Sequence, residues 1–360
     1  MVIADPPRHL KPAFDELENV LGLAPERWIE IRPEGLYVKP ANAFVDPQRP
    51  VPRAIISHGH ADHARAGHGS VWATPATLAI MRTRLGVAAV GRPCPLSFGE
   101  IARLGEARLW LAPAGHVLGS AQVVLEHGGT RVVYSGDYKR RRDPTTEPFE
   151  PVPCDVFITE ATFGLPVFRH PSTANEIDKL LASLATFPER CHVIGAYALG
   201  KAQRLIAELR VAGYDRPIHL HGGLLPLCRL YEENGVALGP LKAATIGEKG
   251  KPRADLAGQI VIAPPAAIAD RWARRLPDAL PGMASGWMQV RQRARQRGVE
   301  LPLVISDHAD WDELLATAGE VGAAEVWITH GREEALAHAL QERGIKARAL
   351  SLIGFEEEGQ

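Results

Sequence analysis

The run Ser57-His58-Gly59-His60-Ala61-Asp62-His63 brings three imidazoles and a carboxylate together immediately after the apolar stretch Ala54-Ile55-Ile56. That order predicts a strand ending in a turn, with the ligand-type side chains held at the strand's end. On an extended segment His58 and His60, two residues apart, point to the same side. Asp62 and His63 follow on the turn and can reach a second cation nearby. The pattern reads as a site for two metal ions, which makes metal-assisted hydrolysis the leading expectation.

A metal centre of this kind needs more ligands downstream, each at the end of a strand. Leu109-Trp110-Leu111-Ala112-Pro113-Ala114-Gly115-His116 puts His116 after an apolar strand, in a glycine-bearing loop that lets the backbone approach an ion. Arg131-Val132-Val133-Tyr134-Ser135-Gly136-Asp137 ends in a carboxylate suited to bridging two cations. Val326-Trp327-Ile328-Thr329-His330 delivers a further histidine near the C-terminus.

With these residues in hand, the chain resembles the metallo-β-lactamase superfamily of hydrolases. The resemblance implies that His58, His60, His116 and Asp137 bind one metal, and that Asp62, His63, Asp137 and His330 bind the other, with Asp62 also in the catalytic machinery. Two more segments, Val156-Phe157-Ile158-Thr159-Glu160-Ala161-Thr162 and Val304-Ile305-Ser306-Asp307-His308-Ala309-Asp310, are similar to the first two extra motifs of the β-CASP nuclease branch. His330 then stands at the third. In that resemblance Glu160 orients His308, and His308 is the general acid. The chemistry is coherent: metal-activated water attacks phosphorus, while an imidazole held by a carboxylate protonates the leaving oxygen. A structural ion pair is the alternative reading of Glu160 and His308.

The resemblance implies an α/β fold: a four-layer αββα metallo-β-lactamase domain from residues 1–164 and 301–360, interrupted by an inserted α/β β-CASP domain at 165–300. Within the insertion, Ala174 to Phe187 has helical apolar spacing and Cys191-His192-Val193-Ile194-Gly195 reads as a strand. Short β-like runs alternating with helical patterns predict a mostly parallel sheet. Gly200-Lys201-Ala202-Gln203 opens a helix and is similar to a β-CASP segment that starts a helix close to bound phosphate. The dipole and the free N–H groups there suit an anion.

Charge is unevenly distributed. Residues 165–300 carry 19 Lys plus Arg against 12 Asp plus Glu, a net of +7, whereas the whole chain stands at −1. Lys139, Arg140 and Arg141 directly follow the bridging carboxylate, and Arg291, Arg293 and Arg295 lie in the run 291–297, on one side of a strand or around a helix. With Lys201, these are the candidate phosphate-backbone contacts. His219 and His221 are discounted as ligands because no carboxylate or third histidine accompanies them.

Four cysteines without a CxxC spacing read as reduced thiols, and a nitrogen-and-oxygen ligand set suits zinc or manganese. No stretch of about 18 apolar residues appears, and Met1 to Pro7 lacks a targeting pattern, so a cytoplasmic protein with no membrane contact is expected. The tail Glu356 to Gln360 reads as disordered.

Within the β-CASP branch the chain resembles DNA exonucleases associated with an ATP-dependent DNA ligase, on Gly35-Leu36-Tyr37-Val38, Ala61-Asp62-His63-Ala64-Arg65 and Tyr138-Lys139. This implies a DNA exonuclease in DNA repair, with DNA favoured over RNA as partner and a ligase as a possible companion. One departure favours RNA. Artemis-type DNA nucleases generally lack a histidine at the third extra motif, whereas RNA-processing members have one. A β-CASP ribonuclease is therefore the alternative. A glyoxalase II or lactonase-type hydrolase shares the metal motifs but has no use for Glu160, His308 or a basic insertion.

Overall fold

The computed structural model describes residues 24–244 and 254–350, so Met1 to Pro7 and the acidic tail lie outside the described residues. Two mixed sheets come first. One runs in chain order through Ile29–Arg32, Gly35–Val38, Ala43–Val45, Arg53–Ile55, Ser70–Ala73 and Arg92–Pro95. The other is ordered Ala347–Ala349, Glu325–Gly331, Val156–Ala161, Thr130–Tyr134, Ala121–His127, Ala107–Pro113 and Ala102–Leu104.

Period-two alternation explains how these strands pack. Leu109, Leu111, Val123, Leu125, Ile158 and Trp327 turn inward and meet Val38, Val45 and Ile55 of the first sheet. Their neighbours Val124, Val133, Phe157, Val326 and Ile328 face outward and are covered by Leu314, Leu315, Leu336 and Leu340. Those leucines belong to the helices Trp311–Glu320 and Glu333–Glu342. On the far side, Leu78 and Met81 of the helix Pro75–Leu85 cover Ala54, Ile56, Val71 and Ala73. The result is the expected αββα layering. Val156–Ala161 pairs in parallel with Glu325–Gly331, so the chain leaves this sheet and returns to the adjacent position after about half its length.

The intervening residues build a third sheet, ordered Leu241–Ala243, Ile218–Leu220, Ile260–Ala263, Cys191–Gly195, Ala279–Ala284 and Leu301–Leu303. Each of these pairings is parallel. The helices Thr173–Thr186, Lys201–Val211 and Leu225–Glu233 cover one face, in a core that also takes Ile80 and Leu118 from the αββα layers. The predicted strand 191–195 and the helix near 174–187 are both present. The arginine run forms the helix Arg291–Gln296 rather than a strand. Gly200 adopts φ +84° against Val117, whose side chain an added Cβ would strike, so the chain can enter the helix at Lys201 only through glycine.

All four cysteines are free, and no helix among the described residues is long and apolar enough to cross a membrane. Leu111 is fully buried between the two mixed sheets. Leu111→Ala should lower unfolding stability by about 2–5 kcal/mol, read from urea denaturation midpoints; a loss well below that range would mean the inter-sheet core is loosely packed.

Candidate metal centre

The strand Arg53–Ile55 lies between two parallel neighbours, and the turn that follows it carries the histidine run to the end of the sandwich. His58 Nε2 and His60 Nδ1 lie 3.1 Å apart, and His116 Nε2 lies 2.9 Å from the same His60 nitrogen. Asp137 Oδ2 is 3.5 Å from His58 Nε2 and 3.8 Å from His116 Nε2. Donor atoms of these four residues all fall within 4.8 Å of one another. A second group shares Asp137: its Oδ2 is 3.4 Å from His63 Nε2, and its Oδ1 is 3.0 Å from His330 Nε2. Asp62 Oδ2 stands 3.6 Å from His63 Nε2, at the more open edge.

The ring orientations follow from what each outer nitrogen donates to. His116 Nδ1–H donates to the Asp307 carbonyl at 2.8 Å, and His60 Nε2–H to the Leu199 carbonyl at 3.2 Å. His63 Nδ1–H donates to Asp46 Oδ2 at 2.7 Å. Ser57 O–H donates to the same carboxylate at 2.5 Å, leaving its oxygen to accept from His58 Nδ1–H at 3.0 Å. The inner nitrogens of His58, His60 and His116 therefore turn lone pairs toward one another and toward a carboxylate oxygen. Such an arrangement repels itself until a cation enters it. Tetrahedral donors on zinc, with bonds of about 2.0–2.1 Å, stand about 3.3–3.4 Å apart, within the span observed here. The residues fit a divalent ion, with a second position formed by His63, Asp137, His330 and the nearby Asp62.

Electrostatics agree with neutral rings at His58 and His116. Burial, followed by repulsion from His63, holds the His58 pKa well below the ordinary value; burial, then repulsion from His308 and His60, brings His116 down to about 3. At His63 burial works downward, but the carboxylates of Asp137 and Asp62 outweigh it and raise the pKa well above the usual range. Asp137 is also buried, yet His63 and His330 hold its carboxyl far below normal.

Beside the first group lies the Glu160–His308 pair. His308 Nδ1–H donates to Glu160 Oε2 at 2.9 Å, and the His308 ring centroid is 4.7 Å from that of His116. Glu160 is fully buried and also accepts from the Tyr138 amide at 2.8 Å and the Thr162 hydroxyl at 2.5 Å. Its carboxylate is fixed on three sides, and the imidazole with it.

The basic residues divide into three groups. Lys139 and Lys201 are buried, not surface cations. Lys139 pairs with Asp143, and Lys201 Nζ lies 2.9 Å from Asp307 Oδ2. Arg204 joins the two pairs, 3.4 Å from Asp143 and 3.2 Å from Asp307. Burial and then repulsion from Arg204 lower the Lys139 pKa to about 8. Arg140 reaches Glu320 at 2.8 Å and Arg141 reaches Asp310 at 2.6 Å, so both are tied to the helix Trp311–Glu320. Arg291 and Arg295 are exposed, whereas Arg293 lies over the Trp287 ring, 4.1 Å from its centroid. His219 and His221 belong to neither donor group.

Sequence reasoning missed Asp46, Ser57, Asp143 and Arg204. Asp46 had a signal: it ends the apolar strand Ala43–Val45, the same strand-then-carboxylate order that marks Asp137 and Glu160. Its φ of +43°, like the +32° of His330, is rare for a residue other than glycine and places backbone strain at the site.

Residues 22–189 match the model of the metallo-beta-lactamase superfamily. A probable DNA ligase of Opitutus terrae is 33% identical over 327 residues, which cover 88% of this chain and 30% of that protein. A ribonuclease of Thermus thermophilus is 30% identical over 218 residues, 53% of this chain and 48% of that one. Cleavage and polyadenylation specificity factor 73 of Drosophila melanogaster is 35% identical over 99 residues, 27% of this chain and 14% of that protein. The chain spans less than half the length of each of these relatives. Among solved structures, a protein of unknown function from Enterococcus faecalis superposes with a TM-score of 0.55 at 14% identity, over 86% of this chain and 81% of that one. That likeness is one of fold alone.

Asp46 accepts from three donors with two oxygens, and an amide would offer one acceptor and two donors in the same space. Asp46→Asn should weaken metal affinity by about 10–100-fold, measured by competition against a chelator of known affinity. Unchanged affinity would show that His63 and His58 are oriented by something else.

Proposed function

We propose, from the match of residues 22–189 to the metallo-β-lactamase superfamily, that this chain is a metal-dependent phosphodiesterase, a nuclease that shortens DNA from an end. The observation that carries the reading is the buried Glu160–His308 pair, 2.9 Å long, set against the first donor group. A thioester releases a thiol of pKa about 8.5 and needs little help with its leaving group. A sugar alkoxide is far more basic, closer to water at about 15.7, and must be protonated as it departs. The pair therefore suits phosphodiester cleavage and has no evident task in thioester hydrolysis of the glyoxalase II type.

Each residue then has a defined task. His58, His60, His116 and Asp137 would hold one divalent ion, zinc or manganese, and Asp62, His63, Asp137 and His330 a second. Ions there would polarise a phosphoryl oxygen and make water nucleophilic at neutral pH. His308 gives its proton from Nε2 to the leaving oxygen, while Glu160 accepts from Nδ1–H and favours the imidazolium. Residues 165–300, as an inserted β-CASP domain, would form the other wall of the cleft.

The preference for DNA draws support from the similarity to a probable DNA ligase over 88% of this chain, wider than the 53% shared with a ribonuclease. A task in DNA repair beside a ligase is the corresponding role. Retention of His330 at the third β-CASP motif and the ribonuclease relative favour RNA processing as the second reading.

His308→Ala removes the acid without removing a metal donor, so metal content should persist while the cleavage rate falls by about 10²–10⁴. Glu160→Gln should act in the same direction, and near-normal turnover of either variant would reject the role. End-labelled linear single-stranded or tailed DNA should be shortened in a metal-dependent reaction, and a closed single-stranded circle should resist. Rapid cutting of the circle would overturn the exonuclease reading. Activity confined to RNA would transfer the same chemistry to the second reading.

A further inference from the structure

A cavity of about 550 Å³ opens at the carboxyl edge of the third sheet, lined by Tyr197, Pro265, Ile268, Met283, Gln296 and Arg297 among others. Its position follows from the topology. The strands Cys191–Gly195 and Ile260–Ala263 are parallel neighbours. After the first, the chain passes to the helix Lys201–Val211, whose Ala202 and Leu205 pack with Ile194 and Ala196 on one face. After the second, it enters the short helix Pro265–Ile268, and Ile268 lies against Gly195 on the opposite face. Neighbouring strands that send their chains to opposite faces leave a crevice between them, and in open parallel sheets ligands bind in such crevices.

The cavity also adjoins the metal centre. Tyr197 stands two residues before Leu199, whose carbonyl accepts from His60 Nε2–H at 3.2 Å. Two residues of extended chain span no more than about 7 Å. The opposite rim carries Arg297 and Gln296, and the exposed Arg291 and Arg295 belong to the adjoining helix Arg291–Gln296. An aromatic ring, an apolar wall and a row of arginines match a flat heterocycle joined to phosphates. Single strands are held in this way, by bases on aromatic faces and backbone against positive charge.

We propose that this cavity receives one base of the strand being cut, stacked on Tyr197, with Arg297, Arg291 and Arg295 facing the adjoining phosphates. The inference rests on the nuclease reading and adds to it a subsite that grips the strand without reading its sequence. A stacking site of this kind tolerates any base, because every base has a π face.

The test walks a single abasic position along an oligonucleotide substrate. With the unaltered protein, one position near the cut should raise KM by about 5–150-fold when its base is missing. Tyr197→Ala should raise KM on intact DNA by a similar factor, and the abasic penalty at that position should disappear; Tyr197→Phe should retain both. Ala266→Trp, which fills the cavity without deleting a contact, should reproduce the Tyr197→Ala result. Anisotropy of a labelled oligonucleotide on metal-free protein should show the same pattern in affinity. Equal cutting at every abasic position, or an undiminished penalty in Tyr197→Ala, would overturn the subsite while leaving the nuclease reading intact. Failure to cut any oligonucleotide would defeat the nuclease reading and the subsite together.

Discussion

Asp46 is the carboxylate on which the geometry of the metal centre depends. It is fully buried and accepts from the Ser57 amide at 2.7 Å, the Ser57 hydroxyl at 2.5 Å and His63 Nδ1–H at 2.7 Å. Through His63 it sets the tautomer of the second donor group. Through Ser57, whose oxygen accepts from His58, it sets the first. One side chain thereby turns two imidazole lone pairs inward. Holding Asp46 at φ +43° costs on the order of 1–3 kcal/mol. The three hydrogen bonds and the strand Ala43–Val45, fixed between two neighbours, offset that strain.

The remaining two rings of the first group are oriented by backbone carbonyls, and both carbonyls sit next to the buried charge network. Leu199 holds His60 and lies two residues before Lys201; Asp307 holds His116 with its carbonyl while its carboxylate pairs with Lys201 and Arg204. His308 is the next residue. Lys201 and Arg204 also donate to the carbonyls of Ile305 and Ser306. The helix that carries these cations therefore clamps the segment that presents His308. Buried ion pairs contribute little net stability, but removal of one partner typically costs about 3–5 kcal/mol because a charge is left uncompensated. The network ties residues 191–303 to the sandwich beside the donor groups.

Much of this was legible because the signals are local. An apolar strand that ends in His, Asp or Glu announces itself, as at His58, His116, Asp137 and Glu160. The helix Thr173–Thr186 shows its apolar period directly. The cations are less legible for the opposite reason: in a run such as Lys139 to Arg141 the partners that bury or tether a side chain are not visible in the sequence. Asp143 is four residues from Lys139, but Glu320 and Asp310 are far along the chain from Arg140 and Arg141. The carbonyls of Leu199 and Asp307 leave no trace at all in sequence, since any residue type can present one. A single carboxylate before proline, as at Asp46-Pro47, also reads as an ordinary turn.

The two donor groups differ in how firmly the fold prepares them. His58, His60, His116 and Asp137 are all buried, and each ring of the first group donates its outer nitrogen to a fixed oxygen. In the second group His330 is only partly buried and Asp62 leaves 24% of its side chain exposed. His330 also sits at φ +32°, followed by Gly331 at φ +104°, where an added Cβ would strike the Ala161 carbonyl. The chain reaches the open edge through a strained histidine and a glycine whose position leaves no room for a Cβ. His308 lies at the other end, with its ring 4.7 Å from His116, whereas His330 is 5.7 Å from His63. On the proposed reading, a phosphate laid across the cluster would therefore meet a preformed group beside His308 and a more exposed group beside solvent. That polarity suits a reaction in which water enters at one end and the leaving oxygen is protonated at the other.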